Sequence, residues 1–169
     1  MEHELRQSPP EPAVNAESGC LPKPVSLLPH DQPPPSANLY DDLQDGQIRL
    51  FELDINTTGK IAGRLQTVEK ISAPPFYALS YVCGNDACSE EIIISERVVL
   101  VRPNLFGALQ ELRVYFQDKD IAQVAIWVDA ICINQDNDDE KAKQIRSMHG
   151  VFSGAVEVLV WLGAMDDDV

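Results

Sequence analysis

Basic residues are scarce in this chain. Its 169 residues hold 13 Lys and Arg against 27 Asp and Glu, a formal net charge of -14, with no basic run to offset it. That balance excludes a surface built to track a nucleic-acid backbone or an anionic bilayer. Long apolar runs are missing too: none approaches the roughly 18 residues of a membrane helix. The start, MEHELRQSPPEP, lacks the basic-then-apolar order of a secretion signal, which predicts a cytoplasmic protein. Cysteine is sparse and irregular: Cys20, Cys83, Cys88 and Cys132 are expected as thiols of a reducing compartment and not as a disulfide framework. No G-x-G-x-x-G or P-loop pattern occurs, so there is no phosphate-cradling fingerprint. No metal is expected either. Cys83 and Cys88 lack a second ligand pair, and Asp166, Asp167 and Asp168 read as a solvated terminus. No cofactor is required by any motif.

Proline, by contrast, is concentrated. Nine of the 12 prolines precede Asn38, in a segment with few large apolar residues. Residues 1–39 are therefore expected to be a disordered leader, and 40–169 one domain. Pro33-Pro34-Pro35 could serve as a polyproline ligand, but a stiff leader is the commoner meaning of such composition. Hydrophobic residues make up 44% of the chain, enough for one core.

Within the domain, β-type runs come first. QIRLFELDI at 47–55, Ile61 to Val68, and FYALSYV at 76–82 read as strands separated by the turn signals Asn56-Thr57-Thr58-Gly59 and Pro74-Pro75. EIIIS and RVVLV have the spacing of a hairpin around Glu96. Asn104 is expected to cap a helix whose stripe is Leu105, Ala108, Leu109, Leu112 and Phe116. VAIWVD at 124–129 is a continuous apolar run, the mark of a strand covered on both faces. Asn137 and Glu140 have capping-box spacing, followed by a helical stripe of Ala142, Ile145, Met148 or His149, and Phe152 that ends near Gly154. AVEVLVWLG supplies a last buried strand.

These elements predict an α/β fold. It is a mixed sheet with a parallel strand-helix-strand core, preceded by antiparallel strands and a hairpin. The stretches around Tyr77, Trp127 and Leu159 should lie parallel and adjacent, with a ligand crevice beyond their carboxyl ends. Three loops would meet there: Cys83 to Asn85, Asp129 to Asp136, and Gly163 to Asp168. Gly84 and Asn85 thereby become candidate ligand contacts. Asp129, at a strand tip, can act in acid-base chemistry or orient a ligand hydroxyl; it can equally accept backbone N–H groups of its own loop. Asn134 and Gln135 are amides able to read a base or amide edge, or to bond within the loop. Glu140 is a candidate catalytic carboxylate whose spacing is also explained by capping. Gln144, one turn on, shares its helical face and would join it in lining the crevice. Cys132 with His149 could suggest a thiol hydrolase, yet nothing places the imidazole near the thiol, and the ICI stretch reads as core. Trp127 and Trp161 read as packing residues.

FYALSYVCG, RPNLFGALQELR, IWVDAICINQDNDDEKAKQIRSM and VFSGAVEVLVWLG resemble, in order and spacing, the fungal heterokaryon-incompatibility (HET) domain, with QIRLFELD as its lead-in strand. The resemblance spans about Ile48 to Gly163. It implies a domain of non-self recognition whose activation leads to programmed cell death, with protein partners or self-association. It also implies a distant kinship with Toll/interleukin-receptor (TIR) domains, and so a TIR-like core. Some TIR domains cleave the nicotinamide-ribose bond of NAD with a glutamate, and NAD would then be a substrate. Two departures bear on this. Cys83 stands where the family usually has tryptophan, and the helix expected to carry the TIR glutamate would follow Val169. A non-enzymatic interaction module and an inactive truncated fragment therefore stay open as alternatives.

Overall fold

The computed structural model describes residues 38–119, 121 and 123–163, together with the backbone of 24–27. One mixed sheet organises them. Its strands in chain order are β1 (Pro24–Leu27), β2 (Gln47–Asp54), β3 (Ala62–Glu69), β4 (Tyr77–Tyr81), β5 (Glu90–Ile94), β6 (Arg97–Val101), β7 (Gln123–Trp127) and β8 (Glu157–Trp161). The helices are α1 (Pro103–Gln117), α2 (Asp129–Cys132) and α3 (Asp138–Gly154). Across the sheet the order is β1-β6-β5-β3-β2-β7-β4-β8. Four residues of the proline-rich leader thus form an edge strand against β6, and Leu39 at its end packs against the core; residues 1–23 and 28–37 lie outside the described residues.

β2 is central because five of its eight residues are fully buried, on both faces, and it pairs antiparallel with β3 and β7. β5 and β6 make the expected hairpin. Its turn is only Ser95-Glu96, both at positive φ (48° and 68°), the backbone of a tight turn that matches strand twist. β4 pairs parallel with β7 on one side and β8 on the other. The stretches around Tyr77, Trp127 and Leu159 are therefore adjacent and point the same way. Each parallel link needs a crossover, supplied by α1 and α3 on opposite faces. Tyr77 meets Phe116 of α1 at 4.8 Å between ring centroids, whereas Trp127 meets Phe152 of α3 at 5.6 Å. The stripe Leu105, Ala108, Leu109, Leu112 and Phe116 is buried as its spacing predicts.

Four details differ from expectation. Asn104 does not cap α1: the helix starts at Pro103, whose fixed φ suits the first turn, and Arg102 occupies the cap position without a side-chain bond. Of the expected α3 stripe Met148 and Phe152 pack against the core, but Ala142 and Ile145 are exposed, and the most buried residues are Glu140, Gln144 and Val151. Polar partners on β2 rotate the helix away from the face that hydrophobicity alone selects. The capping box is half formed. Asn137 accepts from Glu140 N at 3.1 Å, but the Glu140 carboxylate turns inward instead of back to the cap. Finally, Cys83 and Cys132 are free thiols as expected, whereas Cys88 is disulfide-bonded.

Candidate functional site

The carboxyl ends of β7, β4 and β8 form one edge of the molecule, and Asp129 stands there as the first residue of α2. One of its oxygens accepts the Ala130 N–H at 2.7 Å. Its own carbonyl takes Ile133 N and Gln135 Nε2, each at 3.1 Å, which closes the loop on itself. Burial raises the Asp129 pKa, and the Ala130 N–H and the Lys141 charge oppose the rise only in part. Tyr81, at the tip of β4, is also pushed upward, by burial first and then by the Asp129 and Cys83 charges. A carboxyl and a phenol thus share a poorly solvated corner that raises the pKa of each.

Neighbouring side chains tie the strand tips at this corner together. Arg102 Nη1 donates to the Gly84 carbonyl, and Gly84 itself has φ +70°, a conformation that glycine adopts without strain. Asn104 Nδ2 donates to the Val82 carbonyl at 2.5 Å, while its Oδ1 accepts the Trp161 indole N–H at 2.8 Å. One amide thereby ties the tips of β4 and β8 to the start of α1. Asn85 lies exposed beyond them.

Glu140 sits elsewhere. Its carboxylate is buried against Arg49 of β2, with Nη1–Oε1 at 2.5 Å and Nη2–Oε2 at 3.1 Å, and Oε1 also accepts Asn134 N at 2.8 Å. Gln144 Nε2 donates to the Gln47 carbonyl at 3.2 Å. Both side chains border a cavity of ≈ 410 Å³, together with Gly46, Gln47 and Lys70, and Asp129, Gln135, Gly84 and Asn85 do not line it. The expected candidates therefore fall into two groups. Asp129, Gln135 and Gly84 gather at the strand tips, and Glu140 and Gln144 gather at the α3–β2 junction. Asn134 joins them through its backbone, while its side chain accepts Asp136 N at 3.1 Å within the loop.

Cys132 is buried, its thiol is pushed up to about 12 by burial, and it contacts Val128 N and the Ile126 carbonyl, while His149 is exposed on α3. That is a core thiol and not a nucleophile. Among the described residues, no group of three or more His, Cys, Asp or Glu side chains is placed to hold a metal, and no helix is long and apolar enough to cross a membrane. Tyr81, Arg102 and Arg49 escaped attention in the sequence. The available signal was a single arginine inside the apolar run QIRLFELD.

No solved structure matches the chain. It is 37% identical over 107 residues to "Heterokaryon incompatibility protein 6, OR allele" of Neurospora crassa, an alignment covering 58% of this chain and 16% of that protein. The chain thus spans about a sixth of the length of the curated relative it matches. The model of the heterokaryon incompatibility protein (HET) family matches residues 76–169, which takes in the strand tips, Asp129 and α3. That match covers more than half of the sequence, and the chain belongs to the HET family.

Proposed function

We propose that this chain acts in fungal heterokaryon incompatibility, in non-self recognition that leads to cell death, and that its chemical centre is Asp129. Membership of the family and the name of the Neurospora relative support the role. The observation that carries the site is the state of the two carboxylates. Glu140 is engaged by the Arg49 guanidinium and the Asn134 N–H, whereas Asp129 meets only backbone donors, the N–H groups of Ala130 and of its own residue, and has a raised pKa beside Tyr81.

The reaction that suits this centre is hydrolysis of the nicotinamide-ribose bond of NAD, within the longer protein of which such a domain forms part. The C–N bond breaks with its electron pair leaving on nicotinamide, which departs neutral and needs no acid. Water then bonds to the ribose carbon and gives up a proton. A carboxylate with a raised pKa is a better acceptor for that proton near neutrality, and it also favours the positive charge developing on the sugar. Gln135 and Asn134 would border the nucleotide, and Glu140 would hold the loop in place.

The test is nicotinamide release from NAD by this chain and by the longest polypeptide its reading frame encodes. Asp129→Asn should abolish release while leaving the fold intact. If neither polypeptide releases nicotinamide, or if Asp129→Asn retains full activity, the enzymatic reading fails. A second reading, a non-enzymatic interaction module, is favoured by the exposed valines of β8. It expects death signalling in cells to survive Asp129→Asn.

A further inference from the structure

The cavity at the α3–β2 junction, ≈ 410 Å³, falls within the roughly 300–1,000 Å³ range of small-molecule sites. One wall is the turn before β2, held down where Lys70 N donates to the Gly46 carbonyl at 2.9 Å; the other is α3. Leu43 is its one apolar side chain, so a nucleobase or an acyl chain would find nothing to stack on or bury against.

Charge is sorted along this cavity. Asp139 belongs to the first turn of α3, and Asp42 lies level with it, because Arg49 Nη2 donates both to the neighbouring Asp41 carbonyl and to Glu140 Oε2. Arg146 follows two turns on, a rise of about 10 Å. Lys70 reaches that same end: a Cβ on Gly150 would lie 3.5 Å from its ammonium nitrogen. Between the two ends Lys143 is matched by Asp45 at 3.7 Å. Lys70 and Arg146 take part in none of the ion pairs among the described residues, in a chain where carboxylates outnumber cations two to one.

Gln144 stands midway and is only 8% exposed. Its Nε2 is spent on the Gln47 carbonyl, which leaves Oε1 at the cavity wall with no donor among the described residues. A buried acceptor of this kind asks for a donor from the cavity itself.

We propose that this cavity binds a phosphorylated sugar. The phosphate lies between Lys70 and Arg146, where two charge-assisted contacts hold it. The sugar hydroxyls donate to Gln144 Oε1 in the middle and to the Asp139 and Asp42 carboxylates at the far end. Neither half of such a ligand is enough by itself. Bare phosphate leaves Gln144 and the carboxylates unused, and an uncharged sugar leaves both cations unmatched. Asp129 does not line the cavity, so the site stands or falls separately from the NAD chemistry.

The test is titration of the full chain with glucose 6-phosphate, fructose 6-phosphate and ribose 5-phosphate, followed by amide chemical shifts in NMR, beside inorganic phosphate and glucose as separate probes. At least one sugar phosphate should shift the Gly46, Lys70 and Ser147 signals saturably at concentrations up to roughly 10 mM. Phosphate or glucose alone should bind at least about tenfold more weakly. Lys70→Gln and Arg146→Gln should each weaken sugar-phosphate binding by about tenfold. Asp139→Asn should weaken it too, yet leave the response to inorganic phosphate unchanged. Lys119→Gln removes the same charge from an exposed site past the end of α1, across the sheet, and should change nothing. Signals away from each substitution should stay in place, which shows the fold intact. Three results overturn the proposal: no saturable shift with any of the three sugar phosphates, inorganic phosphate binding as tightly as they do, which would mean an adventitious ion only, or a loss in Lys119→Gln equal to that in Lys70→Gln.

Discussion

Arg49 of β2 and Glu140 of α3 form a two-point ion pair with side chains only 2% and 7% exposed. The guanidinium also donates to the Cys132 and Asp41 carbonyls and lies 5.0 Å from the centre of the Tyr40 ring. Tyr40 in turn donates to the Ile131 carbonyl at 3.1 Å. Together these contacts fasten the end of α2 and the Asn134 turn from below. The loop that carries Asp129 is therefore anchored by a buried charge pair.

Removing one member should be costly, because the other remains as an uncompensated buried charge. Glu140→Ala is expected to lose about 3–5 kcal/mol of stability, read from urea unfolding. Replacing both partners by apolar residues of similar size, Arg49→Met with Glu140→Leu, should recover much of that loss. A double variant no more stable than Glu140→Ala would show that the pair's hydrogen bonds to the loop matter more than its charges.

Asp129 gives a pH dependence of opposite sign to that of a salt-bridged carboxylate. Burial raises its folded-state pKa above the ordinary value of 3.8, so the folded chain binds the proton more tightly than the unfolded chain. Its ionisation costs stability progressively as pH rises from 3.8 through the raised folded value, and the cost stays in place at neutral pH. Asp129→Asn, which keeps an acceptor for the Ala130 N–H, should therefore raise the melting temperature at pH 7. The gain should shrink as pH falls toward 3.8. An equal gain at both pH values would mean that desolvation of the charge is not its cause.

Which parts of this were legible in the sequence follows from what each residue needs. Apolar runs such as VAIWV and EVLVW announce strands, but only the first is covered as expected; EVLVW, expected buried, lies at the sheet edge with Val158 and Val160 exposed. Their parallel order follows from the lengths of the connections. The inner face of α3 was not legible, since Glu140 and Gln144 become core residues only when Arg49 and the Gln47 carbonyl arrive from β2, about 90 residues away in the chain. Asn104 was misread for a related reason. Its local position suits a cap, but Trp161 and Val82 offer it partners that appear only when α1 docks on the sheet. The two candidate carboxylates were named together, and only the fold separates the engaged one from the less engaged one.

The free thiols should differ sharply in reactivity. Cys83 is exposed, whereas Cys132 is 1% exposed with its thiol pushed up to about 12. Alkylation at neutral pH followed by mass spectrometry should label Cys83 quickly and Cys132 only under unfolding conditions. Fast labelling of Cys132 in the native chain would require the α2 loop to open readily, against the anchoring by Arg49.

Asn104 carries two bonds that bridge separate elements, and the two can be tested apart. Asn104→Ala leaves both the Trp161 indole N–H and the Val82 carbonyl without their partner and should cost about 1–3 kcal/mol. Asn104→Asp keeps an acceptor for the indole but loses the donor to Val82, so the β8 link survives while the β4 link does not. Indole N–H exchange followed by NMR reads the difference directly: the Trp161 signal should exchange fast in Asn104→Ala and remain slow in Asn104→Asp. If it exchanges fast in both, the indole bond depends on the Val82 contact holding the amide in place, and the strand tips are positioned as one cooperative unit.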